Sequence, residues 1–186
     1  MKLILASNSP RRKEILTEWG YNFSVLPSRF NENGDFLSPE EMAKAFAKGK
    51  AQDVFKNCKD KEVVVLGADT IVVYNGVILG KPENKEQAIK TLKTLSGNTH
   101  TVITGFAIIN SSQAVSGTVK SFVKFNQLSD ELILSYVNTG LPLDKAGSYG
   151  IQDGFDLVDE YKGSLNNIIG LPIEDIKPKL DKMLNE

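Results

Sequence analysis

The sequence predicts a mixed α/β domain with an elongated sheet and helices outside it, and two observations support that prediction. Apolar segments with the pattern of strands alternate along the chain with amphipathic segments of helical period. The composition is that of an ordinary globular protein, with 41% hydrophobic and 24% charged residues. At 186 residues the chain can bury a core without disulfides, so we expect one domain, 1–186, with two lobes.

The first elements are a short strand, a helix and a second strand. "KLIL" (2–5) is expected to be a buried strand, and a helix from about Pro10 to Trp19 has proline in its first turn, where a missing N–H costs nothing. "NFSVLP" (22–27) alternates like a strand. In "SPEE" (38–41) the serine is expected to cap a long helix that ends near Phe55, with glutamate closing a capping box.

The strongest strand signal is "EVVVLGADTIVVYNGVIL" (62–79), a β-branched run in which "NG" predicts a type I′ hairpin turn. A helix is expected over 85–95, two strands over 100–110 and 114–125, and a helix from Ser129 to about Thr139. A loop then carries "KAGSYGIQD" (145–153), and an amphipathic helix ends the sequence.

Charge and cysteine content exclude several classes of protein. The net charge of −1 is not that of a protein that grips nucleic acid through a broad basic surface. A single cysteine, Cys58, allows neither an intrachain disulfide nor a cysteine zinc site, which favours a reducing, cytoplasmic setting. "MKLILAS" is too short and too weakly apolar for a signal or membrane segment. We expect no nucleic-acid partner and no membrane.

The turn "SNSPRR" (7–12) has the residues of a phosphate-binding site. A helix start offers free backbone N–H groups and a positive dipole, Ser7 and Ser9 add hydroxyl groups, and Arg11 and Arg12 can bind phosphate oxygens in pairs. The alternative is that Ser9 only caps the helix and the arginines are solvated. "GVILGKP" (76–82) lacks the glycine spacing of a P-loop, so kinases and GTPases are disfavoured.

Asp69 interrupts the apolar run 62–79, and an unpaired buried charge is too costly to persist. It is therefore expected to be a metal ligand or general base, the alternative being a structural aspartate bonded to backbone at a bulge. Glu32 in a polar loop has the stronger alternative of simple solvation. Lys50 lies on an alanine-rich helix and Lys81 in a loop after a strand, where it can project toward a ligand.

Eight segments together resemble the Maf family of nucleoside triphosphate pyrophosphatases. In chain order they are "LASNSPRR" (5–12), Glu32, "FAKGKA" (46–51), "GADTIV" (67–72), "GKP" (80–82), "LSGNTHTVITG" (95–105), "DKAGSYGIQ" (144–152) and "GSLNNIIGLP" (163–172). The resemblance implies a two-lobed α/β fold with a central cleft, similar to that of inosine triphosphate pyrophosphatases. It also implies cleavage between the α and β phosphorus atoms, giving a nucleoside monophosphate and pyrophosphate.

The resemblance assigns roles position by position, with a divalent cation, Mg²⁺ or Mn²⁺, as cofactor. Asp69 would activate water as the catalytic residue, and Glu32 and Asp69 would be the metal ligands. The triphosphate would be held by Ser7, Arg11, Arg12, Lys50 and Lys81.

Three features match the subgroup that acts on dTTP and UTP: the doubled arginine, "ADT" (68–70) and "YGIQ" (149–152). Thr70 and Gln152 would select the base, since an amide can both donate to and accept from a pyrimidine edge. The alternative function is a nucleotide-binding regulator of septum formation that acts without catalysis. A homodimer is left open.

Overall fold

The computed structural model describes residues 1–36 and 38–185. The strands are β1 Lys2–Leu5, β2 Phe23–Val25, β3 Val63–Tyr74, β4 Val77–Leu79, β5 Thr99–Ile109, β6 Ala114–Phe125 and β7 Val158–Lys162. The helices are α1 Pro10–Glu18, α2 Pro39–Asn57, α3 Lys85–Leu95, α4 Asp130–Asn138, α5 Leu165–Ile169 and α6 Ile173–Asn185. The predicted mixed α/β class is confirmed.

All seven strands belong to one sheet, in the order β2-β1-β3-β5-β6-β7, with β4 paired to β3. β1 runs parallel to both β2 and β3, whereas the β3–β4 and β6–β7 pairs are antiparallel. Asn75 and Gly76, between β3 and β4, have φ angles of 48° and 77°. These are the two positive values that a type I′ turn requires, so the hairpin predicted from "NG" is confirmed.

The chain divides into two compact units. The first comprises Met1–Thr70, Thr104–Val119 and Gly170–Glu186, and the second comprises Ile71–Ile103 and Lys120–Ile169. A core of small and β-branched side chains lies in the first unit, formed by Ala6, Ala47, Ala51, Val54, Val63, Val65, Ala107 and Ile109. The core of the second unit is built of larger side chains, among them Leu92, Phe125, Ile133, Tyr136 and Leu157.

Helix α2 packs closely on the sheet because glycines face alanines. A Cβ placed on Gly67 of β3 would overlap the carbonyl oxygen of Ala47, and one placed on Gly105 of β5 would overlap that of Ala43. Three alanines of α2, Ala43, Ala47 and Ala51, are fully buried. Because Gly67 and Gly105 have no side chains, the helix backbone rests directly on β3 and β5 at these two positions. The helix residues beside Ala47 and Ala51 are thereby brought toward β3.

Helix caps follow the expected chemistry at three of the helices. The side chains of Ser38, Asn84 and Ser129 accept hydrogen bonds from the backbone N–H three residues on, at the starts of α2, α3 and α4. The last helix, α6, buries Ile173, Ile176, Leu180 and Met183 at helical spacing, as an amphipathic helix should.

Two elements were not expected from the sequence. Strand β7 has the sequence "VDEYK", of which four residues are exposed, so it lacks the alternation that marks a half-buried strand. It exists because it pairs with β6, with Val123 opposite Tyr161. Helix α5 has five residues, too few for a periodic signal. The expected loop around 145–153 also contains a 3₁₀ turn, Ala146–Ser148, and follows another, Leu141–Asp144.

Candidate active site

Ser7 lies in the turn between β1 and α1, where its side chain is almost fully buried. The Ser7 Oγ accepts hydrogen bonds from the Ser9 N–H at 3.2 Å and from Arg12 Nη1 at 3.0 Å. Ser9 stands at the N-cap of α1 but its side chain forms no cap bond. The alternative in which Ser9 acts as a side-chain cap is therefore wrong, and Ser7 organises the turn instead.

Arg12 links this turn by hydrogen bonds to two parts of the chain that are distant in sequence. Its Nε donates to the carbonyl oxygen of Gly170 at 2.8 Å, and its Nη2 donates to Thr70 Oγ1 at 3.2 Å. Thr70 Oγ1 also lies 2.9 Å from Thr104 Oγ1. The fork geometry of a guanidinium allows these donors to act at once, so the group is held in one orientation.

The guanidinium group of Arg12 is partly buried. Burial lowers the pKa of Arg12, and the nearby Asp69 carboxylate opposes that effect, while Arg11 adds to it. The hydroxyl and carbonyl oxygens to which Arg12 donates carry no formal charge. The positive field of the guanidinium is therefore available to an anion at the start of α1.

Asp69 is buried in β3, with a relative exposure of 7%. Its Oδ1 accepts a bond from Lys50 Nζ at 2.6 Å. The close seating of α2 on Gly67 accounts for this pair, since Lys50 adjoins Ala51, which the missing side chain of Gly67 lets approach β3. A lysine partner, rather than a backbone bond at a bulge, satisfies the carboxylate.

Glu32 contacts the same ammonium group. Its Oε1 lies 2.8 Å from Lys50 Nζ, and its side chain is 48% exposed, whereas that of Lys50 is 15% exposed. The Lys50 ammonium thus lies between a buried carboxylate and a half-exposed one. Simple solvation of Glu32, the alternative considered for this loop residue, is not what the structure shows.

The loop that carries Glu32 is anchored on α2 by residues that sequence reasoning missed. Asp53 Oδ2 accepts from Ser28 Oγ at 2.8 Å and from the Arg29 N–H at 2.7 Å, and these bonds lower the pKa of Asp53. The Phe30 ring packs against Phe46 and occupies the space where Gly49 lacks a side chain. The conformation of a loop on a helix depends on contacts distant in sequence, so no local signal marks them.

The remaining predicted site residues are placed as follows. Arg11 lies on α1, partly buried, beside Arg12. Lys81 and Gln152 are exposed and belong to the second unit, and Gln152 Nε2 donates to Asp153 Oδ1 at 2.9 Å. The first unit thus brings together Ser7, Arg12, Glu32, Lys50, Asp69 and Thr70. Thr104 and the Gly170 carbonyl, which had no predicted role, complete this cluster.

His100, the single histidine of the sequence, lies buried in β5. Its Nε2 lies 2.7 Å from the Tyr149 hydroxyl, and its ring packs nearly perpendicular to the rings of Phe125 and Tyr149. Burial lowers the pKa of His100 to about 4. A neutral, enclosed imidazole of this kind is a core residue.

The donor set around Lys50 suits Mg²⁺ or Mn²⁺ when a phosphate ligand is also present. In the described parts of the chain, no group of three or more His, Cys, Asp or Glu side chains could hold a metal ion. Two carboxylates do meet at one point, beside Lys50. Mg²⁺ in phosphate-processing sites is held by one or two carboxylates together with substrate phosphates, and Glu32 and Asp69 fit that pattern.

None of the helices within 1–36 and 38–185 is long and apolar enough to cross a membrane.

Comparison with known proteins places these features in a family context. The family model described as Maf-like protein matches residues 2–183. A dTTP/UTP pyrophosphatase of Thermococcus kodakarensis is 45% identical over 175 residues, which are 94% of this chain and 93% of that protein. A dTTP/UTP pyrophosphatase of Caldicellulosiruptor saccharolyticus is 44% identical over 188 residues, covering 98% of this chain and 94% of the relative.

Among solved structures, the Staphylococcus aureus Ham1 protein superposes with a TM-score of 0.50. The match covers 68% of this chain and 73% of the Ham1 chain, at 13% sequence identity. A likeness at this identity concerns the fold alone, and it agrees with the α/β architecture described above.

Proposed function

The chain belongs to the Maf-like protein family, and from this premise we propose that it hydrolyses nucleoside triphosphates, with dTTP and UTP as substrates. The reaction consumes water, breaks the α–β phosphoanhydride and yields a nucleoside monophosphate and pyrophosphate. The support comes from two relatives named dTTP/UTP pyrophosphatases, each more than 40% identical over nearly the whole chain. The alternative of a regulator without catalysis is not favoured by these relatives.

The observation that carries the proposal is the grouping of Lys50 with two carboxylates in the same unit as the Arg12 turn. An ordinary surface ion pair consists of one acidic and one basic side chain. Here a largely buried lysine is shared by Asp69 and Glu32, and a fixed guanidinium lies in the electrostatic reach of Asp69. Such a concentration of opposite charges is typical of sites that bind a polyanion together with a cation.

We assign the triphosphate to Ser7, Arg11, Arg12, Lys50 and Lys81. Negative charge accumulates on phosphoryl oxygens as pyrophosphate departs, so fixed cations stabilise the transition state more than the bound substrate. Arg12 is held by three bonds before any ligand arrives and therefore needs no reorganisation on binding. An incoming phosphate would compete with Asp69 and Glu32 for the Lys50 ammonium.

Asp69 is assigned as the general base. A carboxylate oxygen accepts the proton that the attacking water loses as its oxygen bonds to phosphorus. Asp69 would be freed for this task when the triphosphate takes Lys50 as its own partner. Burial keeps the carboxylate in a single position on β3, which suits a group that must orient one water.

Glu32 and Asp69 would hold the divalent cation. A bound cation of this kind neutralises charge on phosphate oxygens and lowers the pKa of water. Thr70 and Gln152 are proposed to select the base, although Thr70 also supports Arg12 directly. A homodimer and a cytoplasmic location stay predictions.

The test is a panel of UTP, dTTP, CTP, ATP and GTP with Mg²⁺ or Mn²⁺, in which pyrophosphate and orthophosphate are measured separately. We expect UTP and dTTP to give monophosphate and pyrophosphate in equal amounts. Asp69→Asn should lower kcat by at least about 100-fold while nucleotide affinity, measured by calorimetry, is retained.

Asp60→Asn is the matched control, since Asp60 also pairs with a lysine in the first unit but on its surface. Its kcat should equal that of the unaltered enzyme. Release of orthophosphate alone, or full activity of Asp69→Asn, would refute the proposal.

A further inference from the structure

A buried polar network in the second unit surrounds Asp153, which follows Gln152 in the chain. The Asp153 side chain is 7% exposed and lies 3.3 Å from Lys145 Nζ, whose side chain is also 7% exposed. The Tyr136 hydroxyl donates to Asp153 Oδ2 at 2.5 Å. Tyr136 OH in turn accepts the Gly150 N–H at 2.9 Å. These contacts fix the carboxylate in place.

The other carboxylate oxygen, Oδ1, accepts a bond from Gln152 Nε2 at 2.9 Å. An ionised carboxylate has no proton to donate, so it holds the NH₂ end of an amide and repels the oxygen end. A Cβ on Gly150 would collide with both the Gln152 amide and the Asp153 carboxylate. The glycine therefore leaves room for this pair, and the amide cannot rotate by half a turn without bringing Oε1 against a negative charge.

We propose that Asp153 is a positioning residue which sets the orientation of the Gln152 amide and so favours uracil and thymine over cytosine. The inference rests on the proposed function, in which Gln152 reads the base. One of the two Nε2 N–H groups is bonded to Asp153, and this bond fixes Oε1 on the other side of the amide, where it is the acceptor that the side chain offers. Uracil and thymine carry a ring N3–H that such an acceptor can bind.

Cytosine presents the opposite pattern at this position. Its N3 is an acceptor, so it would face the Gln152 carbonyl oxygen without a proton between them. A site that leaves two acceptors opposed discriminates more strongly than one that merely loses a favourable contact. If the amide could turn freely, it would offer an N–H to cytosine N3, and the discrimination would be lost.

The test compares kcat/KM for UTP and for CTP in the unaltered enzyme and in Asp153→Asn. An asparagine amide at 153 can bind either end of Gln152, so the UTP to CTP ratio should fall by about tenfold or more. The change should appear in KM rather than kcat, because the bond concerns binding of the base and not the reacting phosphate. An unchanged ratio in a folded variant would overturn the inference.

Asp144→Asn is the control. Asp144 also pairs with Lys145, at 3.0 Å, but is exposed and is not the acceptor of the Gln152 amide. Its ratio should equal that of the unaltered enzyme. If Asp153→Asn does not fold, Tyr136→Phe removes one donor to the same carboxylate and should lower the ratio in the same direction.

A double-mutant cycle separates positioning from a general structural role. In a Gln152→Ala background, Asp153→Asn should cause no further fall in the ratio, since the side chain it orients is gone. A further fall of equal size would show that Asp153 acts independently of Gln152 and would overturn the inference. Absence of any UTP or dTTP turnover in the unaltered enzyme would instead refute the proposed function on which it rests.

Discussion

At the scale of single residues, Arg12 combines the functions of a support and a ligand. It donates to Ser7, Thr70 and Gly170, and its charge faces the same turn. A lysine would retain the charge but could not reproduce bonds that diverge from a planar fork. The position therefore requires arginine for its shape as well as for its charge.

Arg12→Lys should lower kcat/KM for UTP by about 10- to 100-fold and reduce the free energy of unfolding by about 1–3 kcal/mol, the cost of leaving partly buried acceptors unpaired. Steady-state kinetics and urea unfolding measure the two effects. Arg29→Lys is the control, since Arg29 is exposed and its described hydrogen bond uses the backbone N–H. Equal activity of Arg12→Lys and the control would show that the fork geometry is unimportant.

His100 gives the stability of the protein a dependence on pH. Burial lowers its pKa from 6.5 to about 4, so the unfolded chain takes up a proton between these values before the folded one does. The free energy of unfolding should therefore fall by about 3 kcal/mol through this residue as the pH drops from 6.5 to 4, and the contribution is fully present above pH 6.5.

In His100→Gln the free energy of unfolding should fall between pH 6.5 and 4 by about 3 kcal/mol less than in the unaltered protein, because the titrating imidazole is gone. The amide can still bond to the Tyr149 hydroxyl, which is the contact of the imidazole Nε2. Urea unfolding at pH 4, 5, 6 and 7 for both proteins measures the difference. Two parallel curves would mean that His100 does not titrate as its burial requires.

At the scale of elements, the contact between α2 and β3 brings Lys50 to Asp69. Gly67→Ala would insert a methyl group against the Ala47 carbonyl and 2.9 Å from the Ala51 nitrogen, both backbone atoms that cannot rotate away. The helix must shift outward. We expect a loss of about 2 kcal/mol in stability and a fall in kcat larger than the unfolded fraction explains.

Gly80→Ala is the control for stability, because a Cβ there would meet nothing within 4 Å. Thermal unfolding and pyrophosphate release at a temperature where both variants are folded distinguish the effects. If Gly67→Ala matches the control in both measurements, α2 does not rely on close packing to position Lys50.

Elements with a local signal were predictable from the sequence. Helix α3 lies at the expected residues 85–95, and the turn at Asn75 and Gly76 has the expected φ angles. Strand β7 was not predictable, since its exposed residues show no alternation and its pairing partner is β6. Local propensity determines the first kind of element, and tertiary pairing determines the second.

The site shows the same division. The residue types at Ser7, Arg12 and Asp69 indicated anion and metal chemistry from the sequence alone, whereas the role of Lys50 was implied by the resemblance to the family. The hydrogen-bond partners of these residues could not be predicted from the sequence. The Lys50–Asp69 bond depends on two glycines that let α2 pack closely on the sheet, and Arg12 donates to a carbonyl 158 residues away.

At the scale of the whole molecule, we expect Lys50 to allow the protein to fold without a metal. The two carboxylates that would hold the cation are both compensated by one ammonium group. Treatment with EDTA should abolish pyrophosphate release, yet leave the unfolding temperature of the nucleotide-free protein within about 2 °C of its original value. Differential scanning calorimetry with and without EDTA checks this.

Lys50→Met should reverse that outcome. Without the ammonium, Asp69 is a buried charge lacking its partner, so the protein should be less stable and should gain stability on addition of Mg²⁺. Lys48→Met, on the exposed side of the same helix, is the control and should show neither effect. A large drop in the unfolding temperature of the unaltered protein with EDTA would contradict the role given to Lys50.

The bond from Arg12 to Gly170 also has a consequence for the order in which the protein is made. Arg12 is synthesised 158 residues before its carbonyl acceptor, Gly170. A nascent chain can form β1 and α1 but cannot complete the anchoring of the guanidinium. The candidate anion site is therefore completed only after Gly170 has been synthesised, and a shorter nascent chain would not present it in finished form.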